Sequence, residues 1–369
     1  MPVVPAMSAA FYRLAAKPFL FRRDPEDVHD GVTRLGEYLG SHHATRFMTR
    51  AAFAYADPRL RQRIEGIDFL NPIGLAAGFD KDARLVDIMP AVGFGFMEIG
   101  SVTGEPCAGN PKPRLWRLPK SRSLVVHFGL KNDGCEAISR RLAGRALDAP
   151  LGTSVAMTNC RENADIDAGI ADYAKAFGAF VTIGQYYTVN ISCPNAFGGQ
   201  PFTAPERLER LLGRLDAIFT RKPVFIKLSP DLTIDEVDAI LDVARQHRVH
   251  GFVCSNLTKE RDNDALADDT VPQRGGISGK VVGGMADAQI AYVYRATRGR
   301  CVIIGCGGVS SAEDAYRKIR LGASLVQMVT GMIYEGPQVV GEINRGLVRL
   351  LERDGFDAVT EARGADTAW

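Results

Sequence analysis

Short apolar runs alternate with helical stretches along most of this chain. From about residue 67 onward, eight such runs are each followed by glycine, asparagine or serine and then by a segment with helical spacing. None of them alternates strictly between polar and apolar residues, which is typical of strands buried on both faces of a parallel sheet. The runs are Ile73–Ala77, Phe94–Ile99, Thr153–Met157, Tyr186–Ile191, Val224–Leu228, Phe252–Cys254, Val302–Ile304 and Leu325–Val329.

Eight strands that alternate with helices predict an α/β fold, a (β/α)8 TIM barrel with an N-terminal helical extension. The alternative is an open, doubly wound sheet, which would need a dinucleotide-binding glycine fingerprint that the sequence lacks. We expect residues 1–66 to form an N-terminal amphipathic helical region, residues 67–355 the barrel, and residues 356–369 a short polar tail.

The pattern before the barrel predicts helix over residues 8–66. Asp24-Pro25-Glu26-Asp27 supplies an N-cap, a proline at the first helical position and an acidic first turn. The apolar residues that follow at helical spacing are Val28, Val32, Leu35 and Leu39.

The first 23 residues carry four basic and no acidic side chains beside aromatic and leucine residues. A signal peptide would place its charges before the apolar core, and here they lie within and after it. This order favours a short helix on a membrane surface, with packing on the protein's own body as the alternative. We expect a peripheral membrane protein at the cytoplasmic face.

The composition excludes several classes of protein. With 45 basic and 43 acidic residues, the chain has no signature of a nucleic-acid-binding protein. Its seven cysteines show no C-x-x-C spacing, so neither a disulfide framework nor a zinc site is predicted, and we expect a reducing compartment. No apolar run approaches the ~18 residues of a membrane span.

The segment from Val102 to Lys131 is too long for a simple strand-to-helix loop and contains four prolines. Long loops at the mouth of a barrel usually form lids or binding walls. We therefore expect an excursion over the barrel mouth.

The segment Val189-Asn190-Ile191-Ser192-Cys193-Pro194-Asn195 carries the strongest chemical signal. Cys193 follows a predicted strand between two carboxamides, and Pro194 restricts the backbone after it. Carboxamides can recognise a planar polar ligand while a thiolate removes a proton. The alternative is a buried structural cysteine.

Glycine-rich turns follow the seventh and eighth predicted strands, at Gly305-Cys306-Gly307-Gly308 and at Thr330-Gly331. Turns at these two places, each opening a helix, form the usual phosphate site of a barrel, although they could also serve only as tight turns. Lys81 and Lys227 end two other strands and each needs an anion or solvent. Lys227 would suit a flavin ring, and Lys81 a substrate carboxylate.

Taken together, these strand ends resemble the dihydroorotate dehydrogenases, and within them the quinone-dependent, membrane-associated branch. The resemblance covers nearly the whole chain. Its motifs are Asp24-Pro25-Glu26 with His29, Asn71 to Asp82, Glu98 to Thr103, Lys112 to Leu115, Asn190 to Asn195, Lys227 to Asp231, Gly275 to Gly279, and Gly307-Gly308.

The resemblance implies an FMN-dependent oxidation of dihydroorotate to orotate in pyrimidine biosynthesis. Cys193 would take the C5 proton while hydride leaves C6 for FMN, and a quinone would enter between the N-terminal helices. The implied substrate residues are Lys81, Asn190, Asn195 and Asn256. The implied FMN residues are Ala77, Gly78, Ser101, Asn190, Lys227, Ser255, Gly279, Gly308, Thr330 and Gly331.

The chain departs from this family at several site positions. Cys193 stands where the membrane-associated branch usually has serine, and Val126 and Lys131 each stand where an asparagine is expected. Ser154, Leu257 and Val329 replace an asparagine, a threonine and a tyrosine. Two further hypotheses therefore stand beside the first: a diverged flavin oxidoreductase acting on another small cyclic substrate, and a flavin-binding, membrane-recruited protein without turnover.

Overall fold

The computed structural model describes residues 8–195 and 199–367, so residues 1–7 and 368–369, at the ends of the two predicted terminal segments, lie outside it. The eight predicted strands close into a parallel barrel in which each strand pairs with its successor in the chain, and the eighth pairs with the first. This confirms the predicted fold. The barrel strands, numbered one to eight here, are Ile73–Leu75, Phe96–Val102, Leu151–Val155, Tyr186–Asn190, Val224–Lys227, Gly251–Cys254, Val302–Cys306 and Leu325–Met328.

Aromatic rings fill the lower interior of the barrel, where glycines on neighbouring strands leave space for them. Gly152 lies opposite Tyr186 in the pairing of strands three and four. Gly74 lies opposite Phe96 in the pairing of strands one and two. The ring of Phe96 packs edge-on against that of Phe69, with centroids 5.3 Å apart. The barrel is therefore a packed core, and only its mouth is open.

The region before the barrel is helical only as far as Phe53. The prediction of helix over residues 54–66 was wrong, because a 3-10 turn at Pro58–Leu60 is followed by an antiparallel hairpin of Gln62–Ile64 and Ile67–Phe69. Glu65 and Gly66 form its turn, both at positive φ. The hairpin brings Phe69 under the barrel. The helical elements that precede it are Tyr12–Ala16, a π-helical turn, then Lys17–Leu20, Pro25–Ser41 and His43–Phe53.

The predicted helix start at Asp24 is present, since its carboxylate accepts hydrogen bonds from the backbone N–H groups of Glu26 and Asp27 at 2.9 and 3.1 Å. Several large apolar side chains of this region face solvent, with Leu14 81% and Phe11 68% exposed. No helix in the described ranges has the length and apolar character needed to cross a bilayer.

The excursion after the second barrel strand forms a small sheet beside the mouth. Its strands Leu115–Leu118 and Ser123–Val126 make a hairpin, and Gly276–Gly279 adds to the latter as a third antiparallel strand. The remaining helices are Met89–Val92, Cys135–Leu142, Ile166–Gly178, Pro205–Asp216, Ile234–Ala244, Gly283–Ala296, Ala312–Arg320, Thr330–Glu335 and Val339–Asp354, with 3-10 turns at Glu162–Ala164, Pro201–Thr203 and Lys280–Val282.

The C-terminal tail packs on the protein despite its polar composition. Val359 and Ala362 are buried, and the Arg363 guanidinium donates to the carbonyls of Gly299, Cys301 and Gly322. The tail thus covers part of the barrel's outer surface.

Replacing Gly152 by alanine should lower the free energy of unfolding by about 1–3 kcal/mol, because a Cβ there would overlap the buried ring of Tyr186. Gly178→Ala is the matched control. It ends a helix with no atom near its Cβ position, so alanine there should be neutral or stabilising by up to about 1 kcal/mol. Urea unfolding of both variants measures the difference, and equal stability would contradict the packing described here.

Candidate active site

A cavity of about 210 Å³ opens at the mouth of the barrel, between the carboxyl ends of the strands and the excursion sheet. All the residues predicted for the catalytic, substrate and cofactor sites line it. They are Ala77, Gly78, Lys81, Ser101, Asn190, Cys193, Asn195, Lys227, Ser255, Asn256, Gly279, Gly308, Thr330 and Gly331. The side chains and backbone groups at its two ends differ in chemistry.

Asn190 lies at the centre of a polar network at the end of strand four. Its Nδ2 donates to Ser101 Oγ at 2.8 Å, and Ser101 shares a 2.8 Å hydrogen bond with Ser154. Its Oδ1 accepts from Ser192 Oγ at 2.9 Å, and Ser192 Oγ also accepts from Asn256 Nδ2 at 2.9 Å. The side chains of Asn190 and Asn256 are therefore held in place by the protein itself. Ser154 lies behind Ser101 and reaches the cavity only through it.

The segment that carries Cys193 is tied to the end of the excursion sheet. Asn195 Nδ2 donates to the carbonyl of Val126 at 2.9 Å, and Asn110 Nδ2 donates to the carbonyl of Asn195 at 3.1 Å. Before the thiol, the buried Tyr173 hydroxyl donates to the carbonyl of Asn190 at 2.7 Å. Cys193 is half-buried and lines the cavity between these two ties.

Tyr173 was not found by sequence reasoning, since it lies in the middle of the helix Ile166–Gly178 and its apolar spacing indicates only a core residue. Burial, followed by the charge of Cys193, raises the pKa of Tyr173 well above its ordinary value. The phenol therefore stays neutral and acts as a donor that fixes the backbone before Cys193.

At the other end of the cavity, backbone groups approach too closely for side chains. A Cβ on Gly279 would lie 2.7 Å from the carbonyl oxygen of Arg122, and one on Gly331 would overlap that of Val309. Ser278 and Thr330 share a 2.8 Å hydrogen bond between their hydroxyls. This end presents glycine backbone and hydroxyl groups, which suit a phosphate.

One detail of the predicted phosphate site was wrong. The glycines after strand seven do not open a helix, because the helix Ala312–Arg320 begins four residues after Gly308 and is capped by Ser311. In the first turn of this helix, the Asp314 carboxylate accepts hydrogen bonds from the backbone N–H and the hydroxyl of Ser310, both at 3.0 Å. The helix after strand eight does begin directly at Thr330.

Three buried polar groups line the floor of the cavity without partners among the described residues. They are the Lys227 ammonium, Ser255 Oγ and Gln327 Oε1. Leaving such a group unsatisfied costs about 1–3 kcal/mol, and more for a charge. A ligand that offers both an anionic or acceptor group to Lys227 and an N–H donor to Gln327 Oε1 would satisfy them.

Lys81 lines the cavity with its ammonium 4.0 Å from the centre of the Phe128 ring. Burial, followed by the charge of Lys131, lowers its pKa to about 8, although Asp82, Asp30 and Glu26 act in the opposite direction. His29 also lines the cavity and donates from Nε2 to the carbonyl of Phe79 at 2.8 Å. Burial lowers the pKa of His29 to about 4, so it adds no charge near neutral pH.

The wall opposite the amides is largely apolar. Val126, Phe128, Leu130, Leu257 and Val329 all line the cavity. Val126 pairs with Gly276 in the excursion sheet. A Cβ added to Gly276 would lie 2.6 Å from the Cβ of Leu257. Val126 and Leu257, both departures from the family pattern, therefore meet at one corner of the cavity. Lys131 also lines the cavity, and its ammonium lies 3.6 Å from Glu26 Oε1.

Comparison with known proteins gives a consistent result. A family model described as dihydroorotate dehydrogenase matches residues 59–351. The chain is 39% identical over 354 residues to dihydroorotate dehydrogenase (quinone) of Gloeobacter violaceus, covering 96% of this chain and 98% of that protein. It is 38% identical over 350 residues to the protein of the same name from Natronomonas pharaonis, covering 95% and 98%. A crystal structure of DHODH from Eimeria tenella in complex with ferulenol superposes with a TM-score of 0.81 at 29% identity, covering 93% and 96% of the two chains.

The affinity for orotate, the product implied by the resemblance, should fall as the pH rises through about 8, the pKa of Lys81. The lowered pKa means that Lys81 carries its charge below that pH and loses it above, and a carboxylate needs the cation. The dissociation constant should rise by up to ~10-fold per pH unit above the pKa. Orotate titrations of wild type and Lys81→Met test this, since the variant should lack the dependence. A dependence that persists in the variant would assign it to another group.

Proposed function

The chain belongs to the dihydroorotate dehydrogenase family, and from that premise we propose that it is an FMN-dependent enzyme of the quinone-linked branch that oxidises dihydroorotate to orotate. One observation carries the proposal. A thiol, three carboxamides and a lysine meet at one end of a cavity whose other end is a glycine-rich cradle, with a buried lysine between them. This arrangement suits proton removal beside a redox cofactor.

The residues present fit FMN. Ser255 Oγ and Gln327 Oε1 are buried without partners among the described residues, and Lys227 is only 4% exposed with no carboxylate within ion-pair distance there. Lys227 would face the ring, and Gly308, Thr330 and Gly331 would hold the phosphate. The other residues proposed to contact FMN are Ala77, Gly78, Ser101, Asn190 and Gly279. When bound, FMN would accept the hydride from C6 and pass the electrons to a quinone.

Cys193 is the base that removes the C5 proton. A free thiol ionises near pH 8.5, far more readily than a hydroxyl, so cysteine needs less assistance than serine would at this position. Its direction is set by the backbone ties at Asn190 and Asn195 on either side. Lys81 neutralises the substrate carboxylate, and Asn190, Asn195 and Asn256 hold the ring.

The N-terminal elements suit a peripheral membrane site and an entry route for the quinone, which we place at the cytoplasmic face. Tyr12 donates to the carbonyl of Ile333 at 2.7 Å, and Phe21 packs on Tyr334 with ring centroids 5.4 Å apart. Ile333 and Tyr334 line the same cavity as Cys193. The cavity therefore extends beneath the segment that exposes Phe11, Leu14 and Phe19.

A second candidate function is favoured by the altered wall. Val126 and Leu257 meet at one corner and can form no hydrogen bonds with a ring edge, although Asn195 and Cys193 lie beside them. A flavin oxidoreductase of the same scaffold acting on a different small cyclic substrate would have this wall.

Dihydroorotate should bleach the flavin absorbance of the purified yellow protein under anaerobic conditions. Cys193→Ser should retain slow bleaching because a hydroxyl can still act as a base, whereas Cys193→Ala should lower the rate by at least ~100-fold. No bleaching of wild type would favour the second candidate. Equal rates in the two variants would remove Cys193 from the base role.

Membrane access can be tested on exposed aromatic residues. The double variant Phe19→Glu/Phe47→Glu changes side chains that are 56% and 67% exposed. It should weaken binding to phospholipid vesicles by at least about tenfold, since each aromatic side chain contributes roughly 1.5–3 kcal/mol when buried in a membrane. Reduction of vesicle-borne quinone should fall with it, while anaerobic bleaching should not change. Phe219→Glu, at a 79% exposed residue in the loop before barrel strand five, is the control and should alter neither. Equal effects of both replacements would contradict an N-terminal membrane face.

A further inference from the structure

The segment from Val126 to Lys131 changes the chemistry of the substrate end in two opposite ways. At one end, Val126 replaces an amide of the family pattern by an apolar side chain. At the other, Lys131 replaces an amide by a cation, and both residues line the cavity. Recognition through hydrogen bonds is lost and positive charge is gained within six residues.

Lys131 is fixed from two sides. Its ammonium lies 3.6 Å from Glu26 Oε1 on the N-terminal helix. Its stem packs against Gly109, where an added Cβ would lie 3.0 Å from the Cβ of Lys131 and the backbone φ is +74°. With 37% of its side chain exposed, Lys131 is half-buried at the rim of the cavity rather than free in solvent.

Glu26 cannot neutralise the positive charge around it. Its carboxylate already accepts hydrogen bonds from Arg114 Nε, at 3.3 and 3.1 Å, and from Arg114 Nη2, at 2.8 Å, and it lies 3.5 Å from the Lys112 ammonium. One carboxylate thus serves three cations. Lys81 adds a fourth, and no carboxylate among the described residues lies within 4.0 Å of it.

The charged groups around Lys81 do not neutralise this excess of positive charge. The positive charge of Lys131 disfavours protonation of Lys81. The carboxylates of Asp82, Asp30 and Glu26 favour it, although each lies beyond ion-pair distance from the Lys81 ammonium. His29 is neutral near pH 7. Positive charge beside a partly buried cavity favours an anionic ligand.

The amides offer little to compete with this charge. Asn195 uses one N–H on the carbonyl of Val126, Asn256 uses one on Ser192, and Asn190 uses one on Ser101. The corner formed by Val126 and Leu257 offers none. The carboxylate of a ligand therefore has stronger partners here than its ring edge has.

We propose that Lys131 and Lys81 together clamp the carboxylate of the substrate, so that this site selects cyclic carboxylates by their charge and tolerates variation at the ring edge facing Val126. The proposal rests on the proposed function in that the ligand occupies the same site. Lys131 is the added specificity-determining residue.

The test compares Lys131→Met with Lys112→Met. Both lysines lie at nearly the same distance from Glu26, 3.6 and 3.5 Å, but only Lys131 lines the cavity. Orotate and benzoate are the anionic probes and benzamide is the neutral one, and binding to the FMN-loaded protein is followed by the change in flavin absorbance. Lys131→Arg keeps the charge.

Lys131→Met should weaken binding of orotate and benzoate at least about tenfold, as expected for the loss of a charge-assisted hydrogen bond, and should reduce the dependence of binding on salt. Benzamide binding should be unaffected, and Lys131→Arg should recover most of the loss. Lys112→Met should change no constant by more than about twofold. When dihydroorotate bleaches the flavin of Lys131→Met, the half-saturating concentration of dihydroorotate should rise by a larger factor than the limiting rate falls.

Equal losses in Lys131→Met and Lys112→Met would overturn the clamp, because both would then act only by pairing with Glu26. Failure of wild type to bind either carboxylate would overturn it as well. The proposed function fails separately: wild type that binds benzoate through Lys131 but is not bleached by dihydroorotate keeps the clamp and loses that substrate. Bleaching that is unchanged in Lys131→Met keeps the function and loses the clamp.

Discussion

A single buried carboxylate joins three parts of this molecule. Glu26 is 3% exposed in the first turn of an N-terminal helix, and it pairs with Arg114, just before the first strand of the excursion sheet, and with Lys131, at the end of the excursion segment. Burial opposes its ionisation, but the hydrogen bonds and charge of Arg114, with Lys112 and Lys131, outweigh that effect and hold the pKa of Glu26 below its usual range. Removing one partner of such a pair typically costs about 3–5 kcal/mol, because the other charge is left buried. The N-terminal helices and the excursion sheet therefore cannot move independently over the barrel mouth.

Internal partners likewise fix the amide side chains at the end of the cavity that holds Cys193. Asn190 and Asn256 bond to the serines around them, and Asn195 bonds to a backbone carbonyl, so their directions are fixed before any ligand arrives. Side chains fixed in this way lose little conformational entropy on binding, which favours affinity and precise placement of a reacting atom. The cost is that fewer of their N–H groups remain for the ligand. Under the proposed clamp, charge from lysines at the rim would compensate for what the fixed amides cannot supply.

The sequence predicted the barrel, because parallel strands are buried on both faces and their ends meet at one rim. The full set of residues at the mouth came from the resemblance to a known family, which adds residues such as Ser101 to those that the strand ends indicate. Sequence-based prediction failed where the determining contacts are distant or local turns dominate. The hairpin over residues 62–69 has strands too short to show a period, so the prediction of helix was carried through it. The pairing of Glu26 with Lys131 joins residues far apart in the chain, and no spacing rule reveals it. The N–H groups that Asn195 and Asn190 use internally could not be predicted either, because they depend on backbone carbonyls and on serines from other strands.

The two ends of the cavity differ in how freely they can change. At the glycine-rich end, Gly279 and Gly331 face backbone carbonyls at distances that no side chain fits, so substitution there would displace the chain itself. At the other end, the tie that positions the Cys193 segment runs from Asn195 to the carbonyl of Val126 and does not involve the side chain of Val126. An amide can therefore become valine there without moving the thiol. Backbone support of the segment that carries Cys193 is thus separate from the side chains that form the opposite wall of the cavity.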